Sequence, residues 1–444
     1  MNTNKKKVRD SLIFGFALFA VFFGAGNLIF PPSIGLVSGS DWPVALVGFI
    51  LTGIVLPILG VVAVLNSKGK FEELTRPISP WFYKVFNLVV MIGIAMLVTV
   101  PRTAATTHEM GVHTLFPNVP SFVTMIVFFG LNFYFASDRS NLIDKVGQVL
   151  TPALFTILLF IVIKGTFDPL GAPVNTEIQN PFGHSFFSAY QTGDLFTGLL
   201  CASVFIGSIA AKGYEEPSKM KKVVLNGTIV AGFGLLIIYG GLLYIGATGS
   251  GLFPEDMESA QLVTGLVYNL LGDYGMIALA IAVSLACLTT SIGITASIAD
   301  FLSGLTKQKV SYRNWVIVVC ATGVLMGLMG VEKIIDYSVP LFMGIYPVSI
   351  VLVILGVFRR YIPNAGAYKG SVLATFIISL CETLESIGIH MGLMNDFISI
   401  IPFSSYGFAW LIPAVLGFVA GTFIHGKQAQ EIPSSPMNGE NHSS

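Results

Sequence analysis

Apolar stretches of about 20 residues recur from one end of this 444-residue chain to the other, and they limit its possible folds more than any other feature. Each is long enough to cross a hydrocarbon core of roughly 30 Å as an α-helix. Only 11% of the residues are charged, whereas a soluble domain carries about a quarter. The sequence therefore predicts an all-α polytopic membrane protein with about twelve transmembrane helices.

We place these spans at 10–37, 42–65, 82–107, 119–136, 146–165, 183–211, 223–247, 273–303, 314–330, 334–358, 370–389 and 404–425. The connection between the seventh and eighth spans is amphipathic enough to form short surface helices. Residues 1–9 are predicted as an N-terminal arm, and the polar segment 426–444 as a disordered tail.

The positions of the basic residues agree with these spans. All but three of the 24 lysines and arginines lie in the N-terminal arm, in alternate loops or in the tail; the exceptions are Arg102, Lys164 and Lys333. Because cytoplasmic loops are enriched in Lys and Arg, both termini are predicted to be cytoplasmic and the number of spans even. The formal net charge of +0 gives no reason to expect a nucleic-acid partner.

The first span is interrupted by Gly24-Ala25-Gly26-Asn27. Glycine weakens a helix, and within a bilayer an unwound segment persists only where it lines a cavity or binds a ligand. Close helix packing through small residues is the alternative. Asn27 could orient a substrate or close the break by hydrogen-bonding its own backbone.

The sixth span contains a second polar interruption, Tyr190-Gln191-Thr192-Gly193-Asp194. The alternative here is a surface loop before a helix that begins at Asp194, whose charge would favour the helix N-terminus. The position of the two interruptions in the order of the spans argues against that alternative.

The two breaks fall in the first members of two successive sets of five spans. Interrupted helices at corresponding places in two halves are typical of secondary transporters with inverted repeats. We therefore predict a first repeat at 10–165, a second, inverted repeat at 183–358 and two additional helices at 370–425.

The eighth span carries three consecutive hydroxyl side chains, Thr289, Thr290 and Ser291. Such hydroxyls often bond only to carbonyls one turn earlier. Beside an unwound first span, however, hydroxyl and carbonyl oxygens are suitable ligands for a small hard cation such as Na⁺.

Four motifs together resemble the bacterial branched-chain amino acid:cation symporter family, and the resemblance extends from Asp10 to about His425. They are "FFGAGNLIFPPSIG" in the first span, "VPRTA" in the third, "AYQTGD" in the sixth and "IYPV" in the tenth. The family is similar in design to carriers with the LeuT-like five-plus-five fold, in which helices 1 and 6 are discontinuous. The resemblance implies a multi-pass protein of the bacterial inner or plasma membrane.

The resemblance also implies substrate-binding residues, namely Gly24, Ala25, Gly26, Asn27, Tyr190, Gln191, Thr192 and Gly193. The amides of Ala25 and Gly26 would hold a carboxylate, and carbonyls from Tyr190 to Gly193 would take an ammonium group.

One Na⁺ site would use the carbonyls of Ala20, Phe23 and Ala286 with the hydroxyls of Thr289 and Thr290. A second Na⁺ at Asn27 lacks an obvious partner asparagine in the seventh span. We expect no cofactor besides the coupling ion.

Arg102 and Asp194 are candidate gating or coupling residues, because charged side chains within spans are usually functional. Arg102 is expected near the outer end of the third span, where it could gate an outer vestibule, pair with Glu109 or Asp194, or extend to the interface.

The favoured function is import of leucine, isoleucine and valine by Na⁺ symport and alternating access. Proton coupling, with Asp194 as the titrating group, is the alternative. A membrane enzyme or a channel fits less well, because the chain shows neither a catalytic His/Asp/Glu cluster nor repeated pore loops. The expected partners are an amino acid, Na⁺ or H⁺ and the lipid bilayer, with no obligate protein partner.

The charge pattern makes a testable prediction about orientation. Green fluorescent protein fused after Ser444 should fluoresce, and alkaline phosphatase fused there should be inactive, because the C-terminus is predicted to be cytoplasmic. Alkaline phosphatase fused after Ser250, in a predicted external loop, should be active. The reverse pattern would contradict the assigned orientation.

Overall fold

The computed structural model describes residues 3–137, 151–214, 216–390 and 392–425. Every regular element within these ranges is a helix. Five described stretches are long and apolar enough to cross a membrane, judged by length and composition. The predicted disordered tail and the first residues of the fifth span, 146–150, lie outside the described residues.

The helices of the first half are α1 (Thr3–Phe22), α2 (Ala25–Ser38), α3 (42–66), α4 (Phe71–Thr75), α5 (Phe82–Leu115), α6 (Ser121–Ala136) and α7 (Thr151–Phe167). Those that follow are α8 (Pro181–Ser188), α9 (Asp194–Ala211), α10 (Pro217–Thr248), α11 (259–271), α12 (273–305), α13 (Tyr312–Gly327), α14 (Val331–Val357), α15 (Ala365–Ser386), α16 (Gly392–Ile400) and α17 (Leu411–Ile424).

Both predicted interruptions are present, so the first and sixth spans are discontinuous. The first span divides into α1 and α2 at Phe23 and Gly24, and Gly24 is extended (φ −120°, ψ −165°). The sixth divides into α8 and α9 through a 3₁₀ turn at Ala189–Thr192 and the left-handed Gly193 (φ 73°). That backbone conformation favours glycine because a Cβ would be strained there.

Hydrogen bonds between loops and helix ends define two faces of the molecule. On the face that carries the start of α1, here called the N-terminal face, the Tyr214 hydroxyl donates to Asp10 Oδ2 over 2.9 Å. The Asn66 side-chain amide donates to the Val357 carbonyl over 3.2 Å on the same face. The starts of the first and seventh spans and the ends of the second and tenth therefore lie together, as the alternation of spans requires.

The opposite face carries the remaining ends. The Ser40 amide donates to the Val174 carbonyl over 2.8 Å, joining the loop after α2 to the loop before α8. The Val331 amide donates to Glu109 Oε1 over 2.9 Å, joining the start of α14 to the last turns of α5.

Several helix boundaries differ from the prediction. α1 begins at Thr3, so most of the predicted arm is helical. α5 continues to Leu115, eight residues beyond the predicted end, and Arg102 therefore lies deep in the helix rather than near its outer end. The twelfth span begins at Leu411 rather than residue 404, after a 3₁₀ turn at Ser404–Tyr406. The predicted helix in the seventh-to-eighth connection is confirmed as α11, which ends at Gly272 (φ 60°).

Glycines hold α2 directly against α10. A Cβ on Gly35 would lie 1.9 Å from the Leu243 carbonyl oxygen, and a Cβ on Gly246 would lie 2.0 Å from the Pro32 carbonyl oxygen. Small residues allow such close backbone approach in membranes. The second half of the first span, α2, is therefore fixed to the seventh span.

Gly35→Ala should lower stability, because its methyl group would collide with backbone that cannot rotate away. Overpacking costs about 1–3 kcal/mol in ordinary cores, and we expect at least that here, measured as a lower melting temperature in detergent. Gly130→Ala in α6 is the matched control, since a Cβ there meets nothing within 4 Å. Equal melting temperatures for the two variants would contradict this packing.

Candidate substrate and cation site

The side chain of Asn27 closes the first break. Its Oδ1 accepts from the Gly24 amide over 3.0 Å, and its backbone amide donates to the Gly24 carbonyl over 3.2 Å. The amides of Ala25 and Gly26, at the start of α2, have no hydrogen-bond partner among the described residues. Two N–H groups at a helix N-terminus are therefore free for an anion.

Asn27 also connects the break to two other spans. Its Nδ2 donates to Asp194 Oδ2 over 2.7 Å and to the Tyr239 hydroxyl. The Tyr239 hydroxyl in turn donates to Asp194 Oδ2 over 3.1 Å. All three side chains are buried, so this triad fixes α2, α9 and α10 relative to one another beside the breaks.

Sequence reasoning missed Tyr239. In the seventh span the sequence was searched only for an asparagine that could share a cation with Asn27. The available signal was a residue with a hydroxyl near the middle of an apolar span, since a buried tyrosine hydroxyl usually has a partner.

At the second break, most of the predicted carbonyl acceptors are already engaged in this conformation. The Tyr190 carbonyl accepts from the Gly193 amide over 3.0 Å, and the Gln191 carbonyl accepts from Arg102 Nη2 over 2.7 Å. The Gly193 carbonyl accepts from the Thr197 amide over 3.1 Å. The Thr192 carbonyl receives no hydrogen bond from any described residue.

The predicted cation ligands from the first and eighth spans also meet. The Thr290 hydroxyl lies 3.4 Å from the Phe23 carbonyl oxygen, at the end of α1. The Thr289 hydroxyl donates to the Ala286 carbonyl over 3.0 Å within α12. Ala20 lies in the last turn of α1, one turn before Phe23. Carbonyl and hydroxyl oxygens from two spans thus lie together, as a hard cation requires.

Arg102 lies in α5 and is 1% exposed. Its Nη2 contacts the Gln191 carbonyl, and its guanidinium lies 5.5 Å from the centre of the Phe30 ring. It does not extend to the interface. It does not pair with Glu109, which accepts from the α14 amide instead, and no described carboxylate lies within 4 Å of it.

Two adjoining cavities lie beside the breaks. The smaller is lined by both breaks together with Arg102, Asp194 and Thr290. The larger is mainly apolar and lies between α5, α9 and α12, with Ile94, Phe196 and Leu200 among its lining residues. A polar compartment therefore opens beside an apolar one, which suits a small ligand with a charged end and an apolar end.

Side chains of α14 contact the second break. The rings of Tyr190 and Tyr346 stack with 3.9 Å between their centres, and both side chains are buried. The Ser338 hydroxyl donates to Gln191 Oε1 over 2.8 Å and joins α14 to the same break. The larger cavity follows α9 and α12 from the breaks toward the N-terminal face, as far as the half-buried Cys201 and Ser297.

Tyr239→Phe should destabilise the protein by about 1–3 kcal/mol, because it removes one of the buried hydrogen-bond partners of Asn27 and one of those of Asp194. The measurement is the melting temperature of the purified protein in detergent. Tyr244→Phe, in the same helix, is the matched control, since the Tyr244 hydroxyl has no hydrogen bond to a described residue. If both variants melt together, the triad contributes nothing to stability.

Comparison with known proteins agrees with this architecture. The solved structure of a Na⁺-coupled sialic acid symporter is similar, with a TM-score of 0.57 at 14% identity over 93% of this chain and 89% of that one. At that identity the likeness shows the fold alone, which is the LeuT-like fold with its inverted repeat and its discontinuous helices 1 and 6.

Two curated relatives are similar over nearly their whole length. The branched-chain amino acid permease BraB of Bacillus subtilis is 32% identical, covering 96% of this chain and 98% of the relative. The branched-chain amino acid transport system 2 carrier protein of Pseudomonas aeruginosa is 32% identical, covering 92% and 94%. Both carry the names of transporters rather than enzymes.

The family described as "Branched-chain amino acid transport protein" matches residues 7–428. Together with the relatives, this match shows that the chain is a multi-pass membrane transporter and not an enzyme. It belongs to the family of branched-chain amino acid transport proteins.

Proposed function

We propose that this protein imports leucine, isoleucine and valine by Na⁺ symport and alternating access. The observation that carries the proposal is the meeting of the two broken spans with α12, where the Thr290 hydroxyl lies against the Phe23 carbonyl. The names of the relatives support the substrate class. The Na⁺ coupling named for the sialic acid symporter of the same fold supports the ion.

The substrate would lie between the breaks. Its carboxylate would bind the free amides of Ala25 and Gly26, where the positive end of the α2 dipole also favours an anion. Its ammonium group would bind at the second break, where Thr192 lines the cavity and its carbonyl is free. Its aliphatic side chain would enter the adjoining apolar cavity.

Na⁺ would bind between α1 and α12, at the carbonyls of Ala20, Phe23 and Ala286 and the hydroxyls of Thr289 and Thr290. Because both helices contribute ligands, bound Na⁺ would hold the end of α1 against α12. This stabilises the first break in the geometry that exposes the Ala25 and Gly26 amides, and so couples the ion to the substrate.

Alternating access would exchange the closure at one face for closure at the other. In this conformation the larger cavity extends from the breaks toward the N-terminal face. If that face is cytoplasmic, loading from outside requires the opposite side of the site to open. We propose that both termini are cytoplasmic in the bacterial inner or plasma membrane, and that the repeats span 10–165 and 183–358.

Proton coupling is the second candidate, and the position of Asp194 favours it. Asp194 lines the smaller cavity, and no described lysine, arginine or histidine lies within 4 Å of its carboxylate. A buried carboxylate without a cationic partner can be neutralised by a proton or by a bound cation.

The function is tested by uptake of labelled leucine into proteoliposomes. An inward Na⁺ gradient at constant pH should drive accumulation, and replacement of Na⁺ by choline should abolish it. Exchange of internal for external leucine should accelerate uptake, because a carrier cycles whereas a pore does not. Absence of leucine accumulation under both Na⁺ and pH gradients would overturn the proposal.

Two variants separate the coupling ions. Thr290→Val keeps the shape but removes the hydroxyl ligand, and it should raise the Na⁺ concentration for half-maximal uptake by roughly tenfold or more. Thr306→Val, at the end of α12, is the matched control, since its hydroxyl bonds only to its own helix. If Thr290→Val leaves Na⁺ dependence unchanged while Asp194→Asn abolishes uptake, the coupling ion is not bound at α12.

A further inference from the structure

Arg102 is a buried cation that makes no direct ion pair with a described carboxylate. Asp194 lines the same cavity and acts on it electrostatically from beyond 4 Å. The guanidinium makes one hydrogen bond, to the Gln191 carbonyl, while its Nε and Nη1 groups are buried without a partner among the described residues. Unpaired donors of a buried charge are costly within a membrane protein, so these two groups are available to a ligand.

The guanidinium adjoins the free amides of the first break. A Cβ placed on Gly26 would lie 3.1 Å from Arg102 Nη2, so the guanidinium packs directly on the backbone at the start of α2. The same residues line the smaller cavity. The positive end of the α2 dipole, two free N–H groups and a full positive charge therefore converge in one compartment.

We propose that Arg102 binds the carboxylate of the transported amino acid together with the Ala25 and Gly26 amides. The inference rests on the proposed function and adds a charge-based receptor to it. A guanidinium offers several N–H donors in a planar arrangement that matches a carboxylate, and hydrogen bonds between charged groups are the strong ones.

This assignment defines the substrate class by its acid group. Substrates must carry a free carboxylate, and the corresponding amides, alcohols and amines are excluded even when their aliphatic side chains fit. A bound amide would give the guanidinium no negatively charged partner. A buried polar site discriminates most strongly against a ligand that leaves one of its polar groups unpaired.

Arg102 also gives the carboxylate a connection to the second break. The guanidinium that would bind the ligand also donates to the Gln191 carbonyl, and Gln191 in turn accepts from Ser338 on α14. The carboxylate would thus contact the first break directly and the second break through the Arg102 guanidinium.

The test uses the full-length protein in proteoliposomes, with leucine and leucinamide as competitors of labelled leucine uptake. In the natural protein leucinamide should compete at least 100-fold more weakly than leucine. Arg102→Gln should weaken leucine on the order of 100-fold and reduce this discrimination to about threefold or less, because the loss of two charge-assisted bonds has about that size. Arg102→Lys should keep the discrimination and weaken leucine by about tenfold, since it keeps the charge but loses the planar donors.

The melting temperature of the unliganded protein separates binding from architecture. Arg102→Gln should melt at the same temperature as the natural protein or higher, because it removes a buried charge that has no direct ion pair. The exposed Arg76→Gln is the matched control and should change neither melting nor discrimination.

The proposal is overturned if Arg102→Gln binds leucine within threefold of the natural protein, or if it lowers the melting temperature while leaving the discrimination intact. It is also overturned, whatever the folding of the variants, if the natural protein accepts leucinamide as well as leucine. Those results leave the proposed function standing. If the natural protein neither binds nor transports leucine, the proposed function fails and this inference fails with it.

Discussion

A backbone amide or carbonyl inside a bilayer must be bonded by the protein or by a ligand, and the organisation of this molecule depends on how that requirement is met at two places. At the first break one side chain, Asn27, takes the Gly24 amide and leaves the next two amides free. At the second break, a tight turn lets the Gly193 amide donate to the Tyr190 carbonyl. The backbone groups at the breaks that have no partner among the described residues are the Ala25 and Gly26 amides and the Thr192 carbonyl, and these residues line the smaller cavity.

Hydrogen bonds and close helix packing around the breaks hold them in this conformation. The triad of Asn27, Asp194 and Tyr239 ties the two broken spans to the seventh. Glycine contacts bring α2 against that same span, so the second half of the first span has little freedom to move separately. The contacts of the second break with α14 and Arg102, by contrast, are a ring stack and two hydrogen bonds.

The sequence was sufficient for the fold and for the positions of the two breaks, because glycine and polar residues inside apolar spans have few explanations in a bilayer. The sequence also placed Thr290 near the first break, and in the structure its hydroxyl lies against the Phe23 carbonyl. It did not reveal Tyr239, whose hydroxyl finds its hydrogen-bond partners on two other spans. Nor did it reveal that Arg102 is buried beside Gly26, since that depends on α5 continuing to Leu115 and on the exact approach of α5 to α2.

The central claim is that the two interrupted helices together form the substrate site. The most direct measurement is a cryo-electron microscopy structure of the protein in lipid with leucine and Na⁺. We predict leucine density between the start of α2 and the turn at 189–193, with the carboxylate within hydrogen-bond distance of the Ala25 and Gly26 amides. Leucine density elsewhere, or continuous helix through Gly24 or Gly193, would contradict it.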